Sequence, residues 1–202
     1  MIITLTGENT YAIASTERQL IADFTKKYGV NGVERVDAEQ ITPARLPDLL
    51  QGASLFAPQR LVILKSLGAN KPIQEVLTNF LPKTADEITV VIGDSALDKR
   101  TRLYKFLKSK SQFKEFANLS DNQLCAWLSK EAAQFGGEIK PAVAQYLLTR
   151  AGRDQWRLAN EIQKLVSFKP EITKESVDIL VEATPEGTAF ELLDAALAGK
   201  VN

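Results

Sequence analysis

The hydrophobic pattern changes character beyond the middle of the chain, and the change predicts two kinds of domain. Up to residue 117, strongly apolar runs such as residues 61–64 and residues 88–92, the second interrupted only by Thr89, alternate with segments of helical spacing such as residues 11–27. Unbroken apolar runs are typical of strands buried on both faces, and their alternation with helices favours a parallel sheet. We therefore predict an α/β domain over residues 1–117, with helices on both faces of the sheet.

The rest of the chain shows helical periodicity and no convincing strand pattern. The predicted helices cover residues 120–135, 141–151, 155–168 and 173–182. Amphipathic segments bounded by cap residues, Gly or Pro indicate helices that share a core. We predict a small all-α domain over residues 118–184, a hinge at Pro185-Glu186-Gly187, and a truncated third helical domain beginning in residues 185–202.

Composition removes several classes of function. The 202-residue chain has no histidine and one cysteine, Cys125, which excludes histidine-based catalysis, imidazole metal ligation and an internal disulfide. Its 25 basic residues balance its 25 acidic residues, so no overall field steers it onto nucleic acid. No apolar run approaches the ~20 residues that a membrane helix needs. We expect a cytoplasmic protein without a metal site or a membrane contact.

The most informative stretch is Gly-Ala-Ser-Leu-Phe-Ala-Pro-Gln-Arg at residues 52–60, directly before an apolar strand. Pro58 disfavours the α conformation at Ala57 and imposes an extended approach to that strand. Leu55 and Phe56 are adjacent large apolar residues, which point in different directions. They either pack inward on a bent element or form a plug offered to another protein.

Ser54-Leu55-Phe56, the Pro58-Gln59-Arg60 that follows and the apolar strand resemble the clamp-contact segment of the delta subunit family of bacterial DNA polymerase III clamp loaders. Further stretches agree with that family in order and spacing: Leu5-Thr6-Gly7-Glu8, Leu97-Asp98-Lys99-Arg100, Leu103-Tyr104-Lys105, Gly152-Arg153-Asp154 with Arg157, Glu161-Ile162-Gln163-Lys164-Leu165 and residues 190–199. The resemblance covers nearly the whole chain. It implies an AAA+-like α/β domain followed by a helical lid.

The same resemblance implies a role and a set of contact residues. Leu55 and Phe56 would insert into an apolar pocket of the ring-shaped sliding clamp (the beta subunit), and Ser54 would position them. Such a subunit binds and opens the clamp without hydrolysing ATP, as a component of a DNA-directed DNA polymerase holoenzyme. It contacts the other loader subunits through a C-terminal domain that this chain lacks, and primed DNA indirectly. We expect this chain to grip the clamp but not to join a loader.

The turn after the first strand lacks what a phosphate-binding loop needs. A working loop has a glycine, four residues and then Gly-Lys-Ser/Thr, whereas this chain has Gly7-Glu8-Asn9-Thr10-Tyr11-Ala12-Ile13-Ala14. The second glycine and the lysine are missing, and Glu8 is negative where phosphate would arrive. Lys65-Ser66 stands where an acidic pair would hold magnesium. We interpret the nucleotide site as lost and expect no cofactor and no catalytic residue, although a fold that never bound nucleotide would give the same loop.

Basic residues provide two weaker hypotheses. By the resemblance, Arg157 matches the arginine that senses nucleotide in active relatives, and without a phosphate we expect it in an ion pair or on a solvated helix face. Lys99, Arg100 and Arg102 belong to a basic run on a helix predicted over residues 99–107. That run is either solvated or a weak contact to the phosphate backbone of DNA.

Trp127 and Trp156 are expected in the core of the helical domain, and Cys125 is expected as a small buried hydrophobic residue. Two other classes of function remain for the chain as a whole. One is an AAA+ ATPase with a degenerate phosphate loop, and the other is a protein-interaction module with no role in replication.

Overall fold

The computed structural model describes residues 1–52, 57–95 and 97–184, which fall into two compact units that divide between Asn118 and Leu119. The first unit contains, in chain order, β1 (Ile2–Thr6), α1 (Thr10–Tyr28), β2 (Val33–Asp37), α2 (Leu46–Gln51), β3 (Arg60–Lys65), α3 (Lys71–Phe80), β4 (Ile88–Gly93), α4 (Arg102–Lys110) and β5 (Gln112–Glu115). The second contains α5 (Asp121–Gln134), β6 (Glu138–Ile139), α6 (Pro141–Ala151), α7 (Gln155–Phe168), β7 (Glu171–Ile172) and α8 (Lys174–Leu180).

The first unit is built on a parallel sheet. Within the described residues this sheet has five strands in the order β2-β3-β4-β1-β5, and every neighbouring pair is parallel. Residues 61–64 of β3 are at most 2% exposed. Burial on both faces explains why the strand sequence is an unbroken apolar run rather than an alternation. The predicted α/β fold class is confirmed.

Alternate residues of β3 pack into separate cores on the two faces of the sheet. Val62 and Leu64 belong to the core that α2, α3 and α4 cover, whereas Leu61 and Ile63 belong to the core that α1 covers through Ile13. Because side chains alternate along a strand, one apolar run serves both cores. β3 is therefore a rigid anchor for the chain that enters it at Arg60.

The second unit is a helical bundle with one feature that the sequence pattern missed. Helices α5 to α8 share a core that includes Leu128, Leu147 and Ile162, each 0% exposed. β6 and β7, each two residues long, pair in parallel. The expectation of helices alone was wrong at this point, because a two-residue strand is too short to produce a recognisable alternation.

The predicted burial of three residues in the second unit needs correction. Trp156 is 43% exposed, because it lies outside the buried face of α7, which carries Leu158 and Ile162. Its main-chain N–H donates to the cap residue Asp154 at 2.9 Å. Trp127 and Cys125 are only partly buried at the margin of the core. Burial raises the pKa of the Cys125 thiol, which leaves it protonated at neutral pH.

The helix predicted over residues 99–107 begins three residues later, at Arg102. Thr101 caps it, since the Thr101 hydroxyl accepts from the Tyr104 N–H at 3.1 Å. Lys99 and Arg100 therefore precede the helix instead of lying on it. None of the helices in the described part of the chain is long and apolar enough to cross a membrane.

Candidate functional site

The predicted contact residues Ser54, Leu55 and Phe56 lie outside the described residues, but both flanks are well placed. On one side, α2 ends at Gln51, and the Gly52 N–H donates to the carbonyl oxygen of Asp48 at 3.2 Å. On the other side, Ala57 is 6% exposed. The segment thus joins the end of a packed helix to an inner strand of the sheet.

Arg60 connects these two flanks. Its Nη1 donates to the carbonyl oxygens of Gly52, at 2.7 Å, and Asp48, at 3.3 Å. Its Nη2 donates to the carboxylate of Glu34 at 2.8 Å. Only 14% of the Arg60 side chain is exposed. The sequence did not indicate this contact, because Glu34 lies 26 positions away and nothing in the local pattern pairs the two residues.

The chain just before β3 also passes close to another part of the first unit. A Cβ atom placed on Gly32 would lie 2.4 Å from the carbonyl oxygen of Gln59 and about 3.1 Å from the ring of Phe24. Only a residue without a side chain allows so close an approach. The C-terminal flank is therefore held by main-chain packing as well as by its strand.

The turn after β1, which carries the predicted degenerate phosphate loop, is closed by the protein's own main chain. Gly7 has a φ of +117°, and a Cβ atom there would lie 2.3 Å from the carbonyl oxygen of Phe116. The Asn9 N–H donates to the same oxygen at 3.1 Å, and the Phe116 N–H donates to Thr6 at 2.8 Å. The glycine here permits close packing of the chain that leaves β5.

Amides at the start of α1 already have acceptors inside the protein. The Thr10 N–H donates to the carbonyl of Glu8 at 3.0 Å, and the Ala12 N–H donates to the capping side chain of Asn9 at 2.9 Å. A phosphate at a helix N-terminus needs such N–H groups. The Glu8 carboxylate also accepts from the Asn118 side chain at 3.3 Å, which keeps a negative charge beside the turn.

The carboxyl end of β3 carries an ion pair where a nucleotide-binding fold would hold a metal. Lys65 Nζ lies 3.0 Å from a carboxylate oxygen of Glu17 on α1, and Glu17 is 6% exposed. Asp94, after β4, is 7% exposed and accepts from the Gly68 N–H at 2.7 Å. Both carboxylates already have partners within the protein, and Lys65 places a positive charge beside Glu17. The residues present therefore do not fit Mg-ATP.

Arg157 has a partner that was not predicted. Its Nη2 donates to the main-chain carbonyl of Glu182 at 2.6 Å, just after α8. The neighbouring Arg153 forms a two-pronged pair with Asp121, with N···O distances of 2.7 and 2.9 Å. The Arg153 guanidinium lowers the pKa of the Asp121 carboxyl. Both arginines therefore make contacts within the helical unit.

The candidate DNA-contact cations are partly engaged with carboxylates. Lys99 Nζ lies 2.6 Å from Glu115, and Arg100 binds Asp98 through two nitrogens. The Arg100 hydrogen bonds lower the pKa of Asp98 to about 2. Exposed pairs of this kind break at little cost, and Arg102 is exposed beside a cavity of about 370 Å³. Contact of these residues with DNA stays a prediction.

The strand order and the flanking helices define an AAA+-like α/β module, here with its phosphate-loop turn closed. The family model for the DNA polymerase III delta subunit matches residues 4–117, which is more than half of the chain. The chain therefore belongs to the DNA polymerase III delta subunit family.

Solved structures agree in fold. The DNA clamp loader delta protein YqeN of Bacillus subtilis aligns with a TM-score of 0.65 and 22% identity, over 98% of this chain and 63% of that one. The RuvB Holliday junction branch migration motor of Thermotoga maritima aligns with a TM-score of 0.55 and 12% identity, over 88% of this chain and 61% of that one. The chain thus spans less than two thirds of these structures. No curated protein sequence matches it.

Proposed function

We propose that this chain binds the sliding clamp of the replicative DNA polymerase and helps to open it, as the delta subunit of a clamp loader. The observation that carries the proposal is the family match, because residues 4–117 contain the Ser54-Leu55-Phe56 segment and both of its flanks. In this role the delta subunit works in the cytoplasm with the other loader subunits and meets primed DNA indirectly, and the segment in this chain supplies its grip on the clamp.

The proposed mechanism places the apolar contact on a rigid support. Leu55 and Phe56 enter an apolar pocket of the clamp, and Ser54 positions them. The segment is followed by β3, whose side chains are locked into two cores, so that force on the contact reaches the sheet. A contact that fits the relaxed clamp interface better than the closed one shifts the ring toward the open state, since differential affinity is sufficient.

In this proposal the energy for ring opening comes from partner subunits, because the chain has no working nucleotide site of its own. Residues 118–184 act as the helical lid of the module. The rival interpretation, an AAA+ ATPase with a degenerate loop, requires Mg-ATP to displace the Asn9 cap and to approach Glu8 without a loop lysine.

Isothermal titration of the chain with Mg-ATP is expected to give no binding heat at physiological nucleotide concentrations. The reason is that the loop has no lysine and that the amides of Thr10 and Ala12 are already paired within the protein. An active AAA+ protein run in the same buffer serves as the positive control. Micromolar affinity for ATP would contradict the non-hydrolysing assignment.

A pull-down with the cognate clamp separates the clamp-loader role from a general interaction module. The clamp-loader role predicts specific retention of this chain on immobilised clamp, whereas a module without a role in replication would pass through. Retention on an unrelated ring-shaped protein as well would also count against the proposal.

A further inference from the structure

We propose that Arg60 is a positioning residue for clamp binding, which holds the two ends of the contact segment (residues 53–56) at a fixed separation. The inference rests on the proposed function and adds to it a residue to which neither the resemblance nor the family match gives a role. It comes from the described flanks, where one guanidinium bonds to Gly52 on one side while its own main chain opens β3 on the other.

The geometry suits a rigid clasp. The guanidinium is planar and presents its donors in a fixed fork, so binding at two points sets its orientation. Here one side of the fork faces the carbonyls of Gly52 and Asp48, and the other faces the carboxylate of Glu34 on β2. The carbonyl oxygens at a helix C-terminus carry partial negative charge and favour a cation. The low exposure of Arg60 reduces competition from water.

Each flank is also anchored independently of the Arg60 side chain. Leu49 and Leu50 of α2 are buried in the core, and the Leu50 carbonyl accepts from the Ala85 N–H at 3.0 Å. The Arg60 N–H donates to the carbonyl of Glu87 at 2.9 Å, which ties β3 to the chain before β4. The Arg60 side chain therefore adds what these anchors do not supply, a direct bond between the last residue before the segment and the first residue of the strand.

This arrangement predicts a kinetic signature that separates positioning from contact. If only a fraction of molecules presents the segment correctly, the apparent affinity falls by that fraction. The loss appears in the association rate, because the complex, once formed, keeps its contacts. Truncating a contact side chain acts differently and speeds dissociation.

The experiment compares Arg60→Gln with two matched controls in surface plasmon resonance on immobilised clamp, using the full chain. Arg45→Gln removes the other cation beside Glu34, at 3.5 Å, but leaves the bond to Gly52 intact. Arg150→Gln removes an arginine of similar chemistry in the helical unit, where it donates to Val181 at 2.7 Å and lies 3.8 Å from Asp178.

For Arg60→Gln we expect an association rate about tenfold lower. Losing a hydrogen bond to a charged group changes an equilibrium constant by about that factor, and here the equilibrium is between correctly and incorrectly positioned segments. The dissociation rate should stay within about twofold of the wild-type rate, because the complex keeps the same contacts once it has formed. Arg60→Lys keeps a cation that can reach one acceptor but cannot bridge two, so it should fall between Arg60→Gln and the wild type. Both control variants should bind like the wild type.

Several outcomes would overturn the inference. Wild-type rates for Arg60→Gln would do so, as would a loss confined to the dissociation rate or an equal loss in Arg45→Gln. If Arg60→Gln does not stay folded at the assay temperature, Arg60→Lys carries the same test. Failure of the wild-type chain to bind the clamp at all would instead overturn the proposed function, and the role of Arg60 with it.

Discussion

The double variant Leu55→Ala with Phe56→Ala is expected to lose about a hundredfold or more in clamp affinity while its melting temperature stays close to that of the wild type. Burying each side chain is worth about 1.5–3 kcal/mol, so the pair should contribute roughly 3–6 kcal/mol. Because each ~1.4 kcal/mol changes affinity tenfold, a loss of this size is easily measured. Clamp affinity and melting temperature must both be measured on the same preparation.

The chain offers a matched control three residues upstream of the segment. Leu49→Ala with Leu50→Ala truncates two side chains that are 2% and 0% exposed, so it should lower the melting temperature strongly, as buried truncations do. If Leu55 and Phe56 also pack inward, their double variant will behave like this control. A collapsed melting temperature with unchanged clamp affinity would end the contact hypothesis.

Gly7→Ala is expected to be the most destabilising single substitution in the phosphate-loop turn. The positive φ costs of order 1–3 kcal/mol for a residue with a Cβ atom, and overpacking typically adds 1–3, which gives about 2–6 kcal/mol in total. The atom in the way is the Phe116 carbonyl oxygen, which is main chain and cannot rotate aside. Urea unfolding followed by circular dichroism measures the change in the free energy of unfolding.

Gly29→Ala separates the two contributions to that loss. Gly29 also has a positive φ, +84°, but nothing lies within 4 Å of the position a Cβ atom would take. It should therefore show only the backbone cost of about 1–3 kcal/mol. Equal stability of the two variants would show that the turn is not closed by the chain leaving β5.

The fold could be predicted from sequence where the pattern is strongly apolar. Residues 61–64 and 88–92 indicate buried strands because they are short runs rich in β-branched residues between segments of helical spacing. The errors fall where a local contact decides the outcome. Thr101 fixes the start of α4 through a single side-chain hydrogen bond, which the hydrophobic pattern does not register. Trp156 is exposed because it lies outside the buried face of α7.

The sequence could predict which residue types the candidate site contains and which it lacks, but not how these residues contact one another. The missing lysine and glycine in the loop indicated a lost phosphate site. That the Phe116 carbonyl closes the turn depends on chain more than a hundred residues away, which no local spacing reveals. The contact of Arg60 with Glu34 is invisible in sequence for the same reason, since parallel strands bring together residues that the chain keeps apart.

The clamp-loader role is tested most directly by titrating the wild-type chain onto its cognate clamp, with and without Mg-ATP. We expect specific binding with the same affinity in both conditions, because the contact is apolar and the loop holds no nucleotide. Binding that appears only with ATP would indicate a working nucleotide site behind the Asn9 cap. Absence of binding in both conditions would contradict the clamp-loader role itself.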